Sequence, residues 1–153
     1  HEITMDIENS IQGQKTGKLK ISFIPQSSEI FDKGILITIP DGFSDLSLNS
    51  SNFKFFVNGK PLIGSINSYD PFVGQIEYII EDQGIKDIDS PEISFEIDSE
   101  MTNPISPKEY SFSVQIFDLG EDKLFQGSED ILKENGSVKV NIIKNDLVLL
   151  PEY

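Results

Sequence analysis

The chain has 153 residues and a formal net charge of −14, from 12 basic and 26 acidic residues. Every basic residue is lysine, so no arginine fork is present to grip phosphate or guanine, and nucleic acid and anionic membranes are poor partners for so acidic a chain. The length allows one domain with a complete hydrophobic core, and zero cysteine excludes thiolate chemistry, disulfides and cysteine-based zinc sites.

Apolar and polar residues alternate with period two along most of the chain, and no apolar stripe of helical period exceeds two turns. The absence of alanine and the many isoleucines and phenylalanines also favour strands. We predict ten strands: Ile3–Glu8, Lys18–Ile24, Gly34–Ile39, Phe53–Val57, Pro61–Ile66, Gln75–Ile80, Glu92–Asp98, Glu109–Phe117, Asp122–Gln126 and Ser137–Ile143.

One apolar and one polar face per strand predicts an all-β fold, an antiparallel two-sheet β-sandwich of Ig-like or related Greek-key type, in preference to a barrel. Strand parity predicts the inward residues: Leu19, Ile21, Phe23, Ile35, Ile37, Ile39, Phe53, Phe55, Val57, Ile76, Tyr78, Ile80, Ile93, Phe95, Ile97, Tyr110, Phe112, Val114, Ile116, Val138, Val140 and Ile142. The neighbours predicted to face water are Lys18, Lys20, Glu92, Ser94, Glu96, Ser111, Ser113 and Lys139.

Two turn signals interrupt the apolar stretches. Asn58-Gly59 predicts a tight hairpin, since a type I′ turn needs positive φ at both central residues. Leu119-Gly120-Glu121 predicts a second hairpin, leading into a short strand that carries Leu124 and Phe125. The longest predicted non-strand stretches are Asp41–Asn52, Glu81–Pro91 and Gly127–Gly136, the last with room for one helical turn around Glu129–Leu132.

The module boundaries follow from the same pattern. We predict a single β-sandwich module over residues 1–146. Residues 147–153 are apolar with one proline, and two interpretations stay open: a tail of this module, or the start of a following one.

The acidic residues are concentrated in one part of the chain. Residues 70–100 contain ten acids and one lysine. Asp87 and Asp89 place two carboxylates on the same side of an extended backbone, and Glu81, Asp82 or the turn at Gly120–Asp122 could add further oxygen ligands for calcium. The spacing is not that of an EF-hand loop, and the alternative is a solvated acidic surface that holds no ion. No other cofactor or metal is expected.

The composition offers few residues that could act in enzyme catalysis. The single histidine is His1, which excludes a Ser-His-Asp triad and histidine-based metal clusters, and nothing selects a carboxylate pair for glycoside hydrolysis. We therefore expect no catalytic residues. A sugar-binding face would need exposed aromatic platforms, and the candidates are Phe56, Tyr69, Phe72, Phe117 and Tyr153. For each of them, core or turn packing is the preferred interpretation.

Four phrases in fixed order carry a family resemblance: residues 17–23 (GKLKISF), 31–43 (FDKGILITIPDGF), 55–60 (FFVNGK) and 103–114 (NPISPKEYSFSV). Together they resemble the Ig-like repeat modules of bacterial, clostridial-type surface-layer and cell-wall-anchored proteins. The sequence departs from that pattern at Lys18-Leu19, where a tyrosine is frequent, and at Lys108-Glu109, where glycine is usual. The resemblance implies tandem modules that act as spacers, wall-attachment or binding segments, with no catalytic residues.

Taken together, these features predict a non-catalytic extracellular module of a larger bacterial cell-surface protein, serving structural display or protein binding. The expected partners are neighbouring modules of the same polypeptide, another surface protein or cell-wall polysaccharide. We expect no nucleic acid and no membrane insertion, because no apolar run approaches the roughly 20 residues needed to cross a bilayer. Two alternatives stay open: a carbohydrate-binding module for wall or plant polysaccharide, and a calcium-stabilised adhesin repeat.

Overall fold

A computed structural model of the chain describes residues 3–26, 29–43, 49–98, 101–121, 125 and 131–146. Short 3₁₀ helices occur at Ser50–Asn52 and Gln83–Asp87, and no helix in the described part is long and apolar enough to span a membrane. The described strands are β1 (Ile3–Ile7), β2 (Leu19–Phe23), β3 (Lys33–Thr38), β4 (Phe53–Val57), β5 (Lys60–Pro61), β6 (Gly64–Asp70), β7 (Gln75–Ile80), β8 (Ile93–Ile97), β9 (Glu109–Asp118) and β10 (Ile131–Asn141).

The strands form two five-stranded sheets. Sheet I has the order β1-β2-β8-β4-β5 and sheet II the order β10-β9-β3-β7-β6. All neighbouring strands within a sheet are antiparallel. The predicted all-β, two-sheet sandwich is confirmed.

The core lies between the sheets and follows the predicted parity. Every inward residue predicted from the alternation is buried, except Val138, which is half-buried. Rings join the two layers: Phe55 of sheet I stacks on Tyr78 of sheet II with centroids 4.0 Å apart. Burying one such side chain contributes about 1.5–3 kcal/mol, so the alternation of the sequence supplies most of the driving force for this arrangement.

One outward position differs from the prediction. Ser94 alternates with inward Ile93 and Phe95 but is only 3% exposed. It lies in a central strand between Ser22 and Phe56, and its Oγ is 3.3 Å from the Oγ of Ser22. A small side chain flanked by two neighbouring strands is covered by them, which the alternation alone does not indicate.

Two strand predictions were wrong in extent. The predicted strand Pro61–Ile66 is split, because β5 belongs to sheet I and β6 to sheet II, with Leu62 and Ile63 crossing between them. The predicted non-strand stretch Gly127–Gly136 is strand from Ile131 onward, because β10 pairs with the long strand β9 and accommodates a bulge between Leu132 and Glu134. Pairing with a neighbouring strand outweighs the weak local preference of Glu134-Asn135-Gly136.

The two predicted hairpins have different outcomes. Asn58 and Gly59 have φ values of 48° and 81° and join β4 to β5, as the type I′ signal predicts. The predicted strand Asp122–Gln126 lies outside the described residues apart from Phe125, as do residues 147–153.

The register gives the sandwich two distinct ends. The upper end carries the connections β2–β3, β4–β5, β5–β6, β7–β8 and β9–β10, and the lower end carries β1–β2, β3–β4, β6–β7 and β8–β9. Strand β1 begins at the upper end, where Ile3 lies opposite Phe23. Strand β10 finishes at the lower end, where Asn141 lies opposite Glu109. The first and last described strands therefore run in the same direction, from the upper end to the lower.

Candidate functional site

The acidic connection between β7 and β8 crosses the upper end from sheet II to sheet I. Ile85 is buried and anchors it, and the side chain of Asp82 caps the 3₁₀ helix by accepting a hydrogen bond from the Gly84 N–H at 3.0 Å. Glu92 ties it to the β4–β5 hairpin, since its N–H donates to Asn58 Oδ1 at 2.8 Å and its carbonyl accepts from the Asn58 N–H. The connection is therefore a fixed bridge between the sheets.

The calcium candidates lie on this connection. Asp87 and Asp89 are exposed, and Asp82 directs its second carboxylate oxygen to the Ile63 N–H at 3.3 Å. Among the residues that the structure describes, no three Asp, Glu or His side chains come close enough together to hold a metal ion. Glu81, Asp82, Asp87 and Asp89 thus show no common coordination geometry, while Asp122 lies outside the described part. Calcium binding stays a prediction.

The remaining acids of residues 70–100 separate in space because β7 and β8 belong to different sheets. Glu77 faces outward from sheet II and accepts a hydrogen bond from Asn67 Nδ2 at 2.9 Å. Glu96 faces outward from sheet I, where a cross-strand row alternates in charge. The row is Asp6, Lys20, Glu96 and Lys54. Opposite charges on facing strands stabilise a sheet by roughly a few tenths of a kcal/mol per pair. Because the row consists of charged side chains, this face suits contact with water.

The aromatic candidates for a sugar platform lie on different surfaces. Phe56 is on the outer face of sheet I, whereas Phe117 is on the outer face of sheet II and meets Phe125 edge to face with centroids 6.0 Å apart. Tyr69 packs against the core ring of Phe53 at 4.7 Å. Phe72 is 83% exposed in the β6–β7 turn at the lower end. Tyr153 lies outside the described residues, and the other four form no shared platform.

A charge cluster at the upper end was not predicted from the sequence. Asp118 forms ion pairs with two lysines, with Lys33 Nζ 2.7 Å from Oδ1 and Lys133 Nζ 3.0 Å from Oδ2. The hydrogen bond from Lys33 lowers the pKa of Asp118, partial burial opposes this, and Lys133 adds to the lowering. Asp118 is therefore a carboxylate held between two ammonium groups. Lys33 faces Asp118 across β3 and β9, but 84 positions lie between them in the sequence, so local patterns do not reveal the pairing.

Beside this cluster lies a cavity of about 180 Å³, with Ile30 and Ile116 among its lining residues. Glu134, also in its wall, accepts hydrogen bonds from the Gln26 N–H at 3.0 and 3.2 Å. Ligand pockets usually measure roughly 300–1,000 Å³, and both lysines at this cavity already pair with Asp118. The arrangement joins β3, β9 and β10.

Tyr78 closes the core below the β5–β6 crossing. Its hydroxyl donates to the carbonyl oxygen of Leu62 at 2.6 Å. Burial raises the pKa of Tyr78 to about 12, and the negative charges of Glu81 and Asp82 act in the same direction. The residue is a neutral structural donor at physiological pH.

A buried amide side chain holds two connections together at the lower end. Asn103 is 1% exposed; its Oδ1 accepts from Thr16 Oγ1 at 2.7 Å, and its Nδ2 donates to the carbonyls of Asn9 and Ile11 at 2.8 and 2.9 Å. Its backbone N–H donates to the Gln14 carbonyl. These bonds attach the β1–β2 connection to the β8–β9 connection. The sequence contained one signal, Asn103-Pro104 in the fourth phrase of the resemblance, but not the partners.

No protein-family model and no curated protein matches the sequence. Solved structures do resemble the fold. Over 94% of this chain and 41% of the other, the structure of a variant of BcpA, the major pilin subunit of Bacillus cereus, is similar at 10% identity with a TM-score of 0.52. This likeness supports an Ig-like sandwich and, at such low identity, shows the fold alone.

Two further structures show weaker similarity. The major pilin SpaA of Corynebacterium diphtheriae is 11% identical over 74% of this chain and 30% of its own, with a TM-score of 0.46. The collagen-binding domain of a Staphylococcus aureus adhesin is 16% identical over 87% of this chain and 99% of its own, with a TM-score of 0.44. The chain spans less than half the length of either pilin that it resembles.

Proposed function

We propose that the chain is a non-catalytic, extracellular module of a larger bacterial cell-surface protein, in which it acts as a rigid structural unit. The observation that carries this proposal is the direction of the terminal strands. Strand β1 begins at the upper end and β10 finishes at the lower end, so neighbouring segments of a longer chain would attach at opposite ends. That arrangement suits modules placed in line.

Three features of the described residues support a structural role over catalysis. The outer face of sheet I carries paired charges, the two ends are bridged by hydrogen bonds and ion pairs, and the lysines that line the cavity beside Asp118 are already paired with that residue. The pilin-like fold agrees with such a role. Carbohydrate binding and calcium stabilisation are not part of the proposal, because the described candidates form neither a shared platform nor a ligand cluster.

Protein binding is the second candidate, favoured by one exposed apolar turn. Phe72 and Val73, at 83% and 50% exposure, stand side by side between β6 and β7. Large aromatic side chains at protein interfaces contribute much of the binding energy, and a protruding phenylalanine suits such an anchor. The turn lies at the lower end, away from the charged outer face of sheet I.

Two measurements test the structural proposal. Antibodies against the module should label intact cells of the encoding bacterium, and protease added outside should remove the label. Labelling only after permeabilisation would contradict a surface location. In solution, small-angle scattering of one, two and four linked modules should give a maximum dimension that grows in proportion to their number, whereas linked modules that collapse together would contradict the in-line arrangement.

A further inference from the structure

The first and last parts of the described chain are joined directly at the lower end. The Gln12 N–H donates to the Ile143 carbonyl at 2.8 Å, and the Ile143 N–H donates to the Ser10 carbonyl at 2.9 Å, which makes a parallel bridge between Ile11 and Ile143. The side chain of Gln12 adds a third bond, since its Oε1 accepts from the Asn145 N–H at 2.8 Å. We call the segments Ser10–Gln12 and Ile143–Asn145 the terminal latch.

The latch is supported from behind by the β8–β9 connection. Asn103 Nδ2 holds the carbonyls of Asn9 and Ile11, and Gln12 Nε2 donates to the Ile105 carbonyl at 2.7 Å. Asn103 is buried and all its amide atoms are paired, and a fully satisfied buried network of this kind is rigid. The stretch Ser10–Gln12 is therefore fixed between the module's interior and its last segment.

We propose that the terminal latch is the element that resists tension applied along the chain. A pull at the two ends draws β1 toward the upper end and the segment after β10 toward the lower end. Because Ile11 and Ile143 lie in parallel segments, this pull slides the two past each other along their own direction. Bonds loaded in this way must break together, whereas bonds at a peeled edge break one at a time, so the sliding geometry withstands more force.

The latch also gives the force a short path. Tension passes from β1 through the Ser10–Gln12 segment directly to Ile143–Asn145, and the interior strands β3, β7 and β8 lie outside that path. The core then stays folded until the latch opens. The biological meaning of this device rests on the proposed structural function, whereas its mechanical behaviour can be measured on the module alone.

The test is single-molecule unfolding of the module held between marker domains at its two ends. Gln12→Met keeps the length of the side chain and removes its bonds to Ile105 and Asn145. Its matched control is Gln83→Met, at an exposed position of the 3₁₀ helix at the upper end. We expect the unfolding rate at fixed load to rise about tenfold for Gln12→Met, the size expected for one to two net hydrogen bonds, and to stay unchanged for Gln83→Met.

A second pulling geometry separates the latch from general stability. The chain contains no cysteine, so Lys60→Cys and Val73→Cys supply unique handles at exposed positions outside the latch. Between these handles Gln12→Met should change the unfolding rate far less than it does between the chain ends. Equal changes in both geometries, or no change between the chain ends, would overturn the proposal. Failure of surface labelling on cells would instead contradict the proposed function and leave this mechanical result unaffected.

Discussion

The lower end of the sandwich is closed by neutral amide hydrogen bonds around Asn103, whereas the upper end is closed by carboxylates and lysines around Asp118. Both arrangements join segments far apart in the chain. They differ in their sensitivity to the solvent, because a buried amide network carries no net charge, while partly exposed ion pairs weaken with salt and with protonation of the carboxylate. The lower end should therefore hold under conditions that loosen the upper end.

The largest expected effect is at Asn103. Asn103→Leu keeps the approximate shape and leaves the hydroxyl of Thr16 and the carbonyl of Asn9 without their partner, while the carbonyl of Ile11 keeps its bond from the Gln14 N–H. A buried polar group that loses its partner costs about 1–3 kcal/mol, so with two such groups we expect a loss of about 2 kcal/mol or more in the free energy of unfolding, measured by urea titration. Asn141→Leu, at an exposed position of β10, is the control and should cost less than about 0.5 kcal/mol. A small loss at Asn103 would show that the network does not hold the lower end.

Glycine-to-alanine substitutions test how tightly the backbone is packed at each end. At the lower end Gly74 has φ +67°, and an added Cβ would lie 2.5 Å from the backbone oxygen of Ile39. At the upper end the three atoms nearest to a Cβ added at Gly34 all belong to the side chains of Phe125 and Leu119. Backbone cannot move aside as a side chain can, so Gly74→Ala should lower the thermal midpoint more than Gly34→Ala. Equal shifts would contradict this difference.

Tyr78 allows the stability of the upper half to be tested at alkaline pH. Its pKa is raised to about 12, so the unfolded chain, with tyrosine near pKa 10, releases the proton first as pH rises. The stabilisation is complete below about pH 10 and is lost as pH approaches 12. Tyr78→Phe should cost about 1 kcal/mol at neutral pH, through loss of the bond to Leu62, and should reduce the decline between these pH values. An unchanged alkaline decline in the variant would contradict the assignment.

The smallest effect is expected at Asp118. Its pKa is lowered in the folded chain, so its contribution is present above the pKa of an unfolded aspartate, near 3.9, and is lost as pH falls through the folded value. Asp118→Asn should reduce the acid-side loss of stability and cost about 1 kcal/mol or less at neutral pH and low salt. Adding salt at neutral pH should reduce the difference in the free energy of unfolding between wild type and Asp118→Asn. The loss of unfolding free energy caused by Asn103→Leu should not change with salt. The same salt response at both ends would remove the distinction between them.

The strands show why some features were predictable and others were not. Alternation along Leu19–Phe23, Ile93–Ile97 and Tyr110–Ile116 predicted the buried faces, because a strand places successive side chains on opposite sides whatever its neighbours are. The turn at Asn58-Gly59 was equally local. The split at Leu62–Ile63 and the extension of β10 back to Ile131 depended on which strand pairs with which, and local preference carries no such information.

The candidate sites divide in the same way. A run of acids is visible in the sequence, but β7 and β8 enter different sheets, so Glu77 and Glu96 face opposite sides of the molecule. Conversely, the groups that pair with each other at each end of the sandwich are distant in sequence. Thr16 meets Asn103, and Lys33 meets Asp118, only after the sandwich has closed.

By itself, the sequence determined the fold class, the inward faces and the acidic, lysine-only surface, because these depend on side-chain chemistry and a two-residue period. Only the tertiary structure decided the strand order, the dispersal of the acids, the buried amide at Asn103 and the bridge between Ile11 and Ile143. Those features require two segments to meet across the closed sandwich. A hydrogen bond or ion pair of that kind forms only when the pairing of the sheets brings its two groups within about 3 Å.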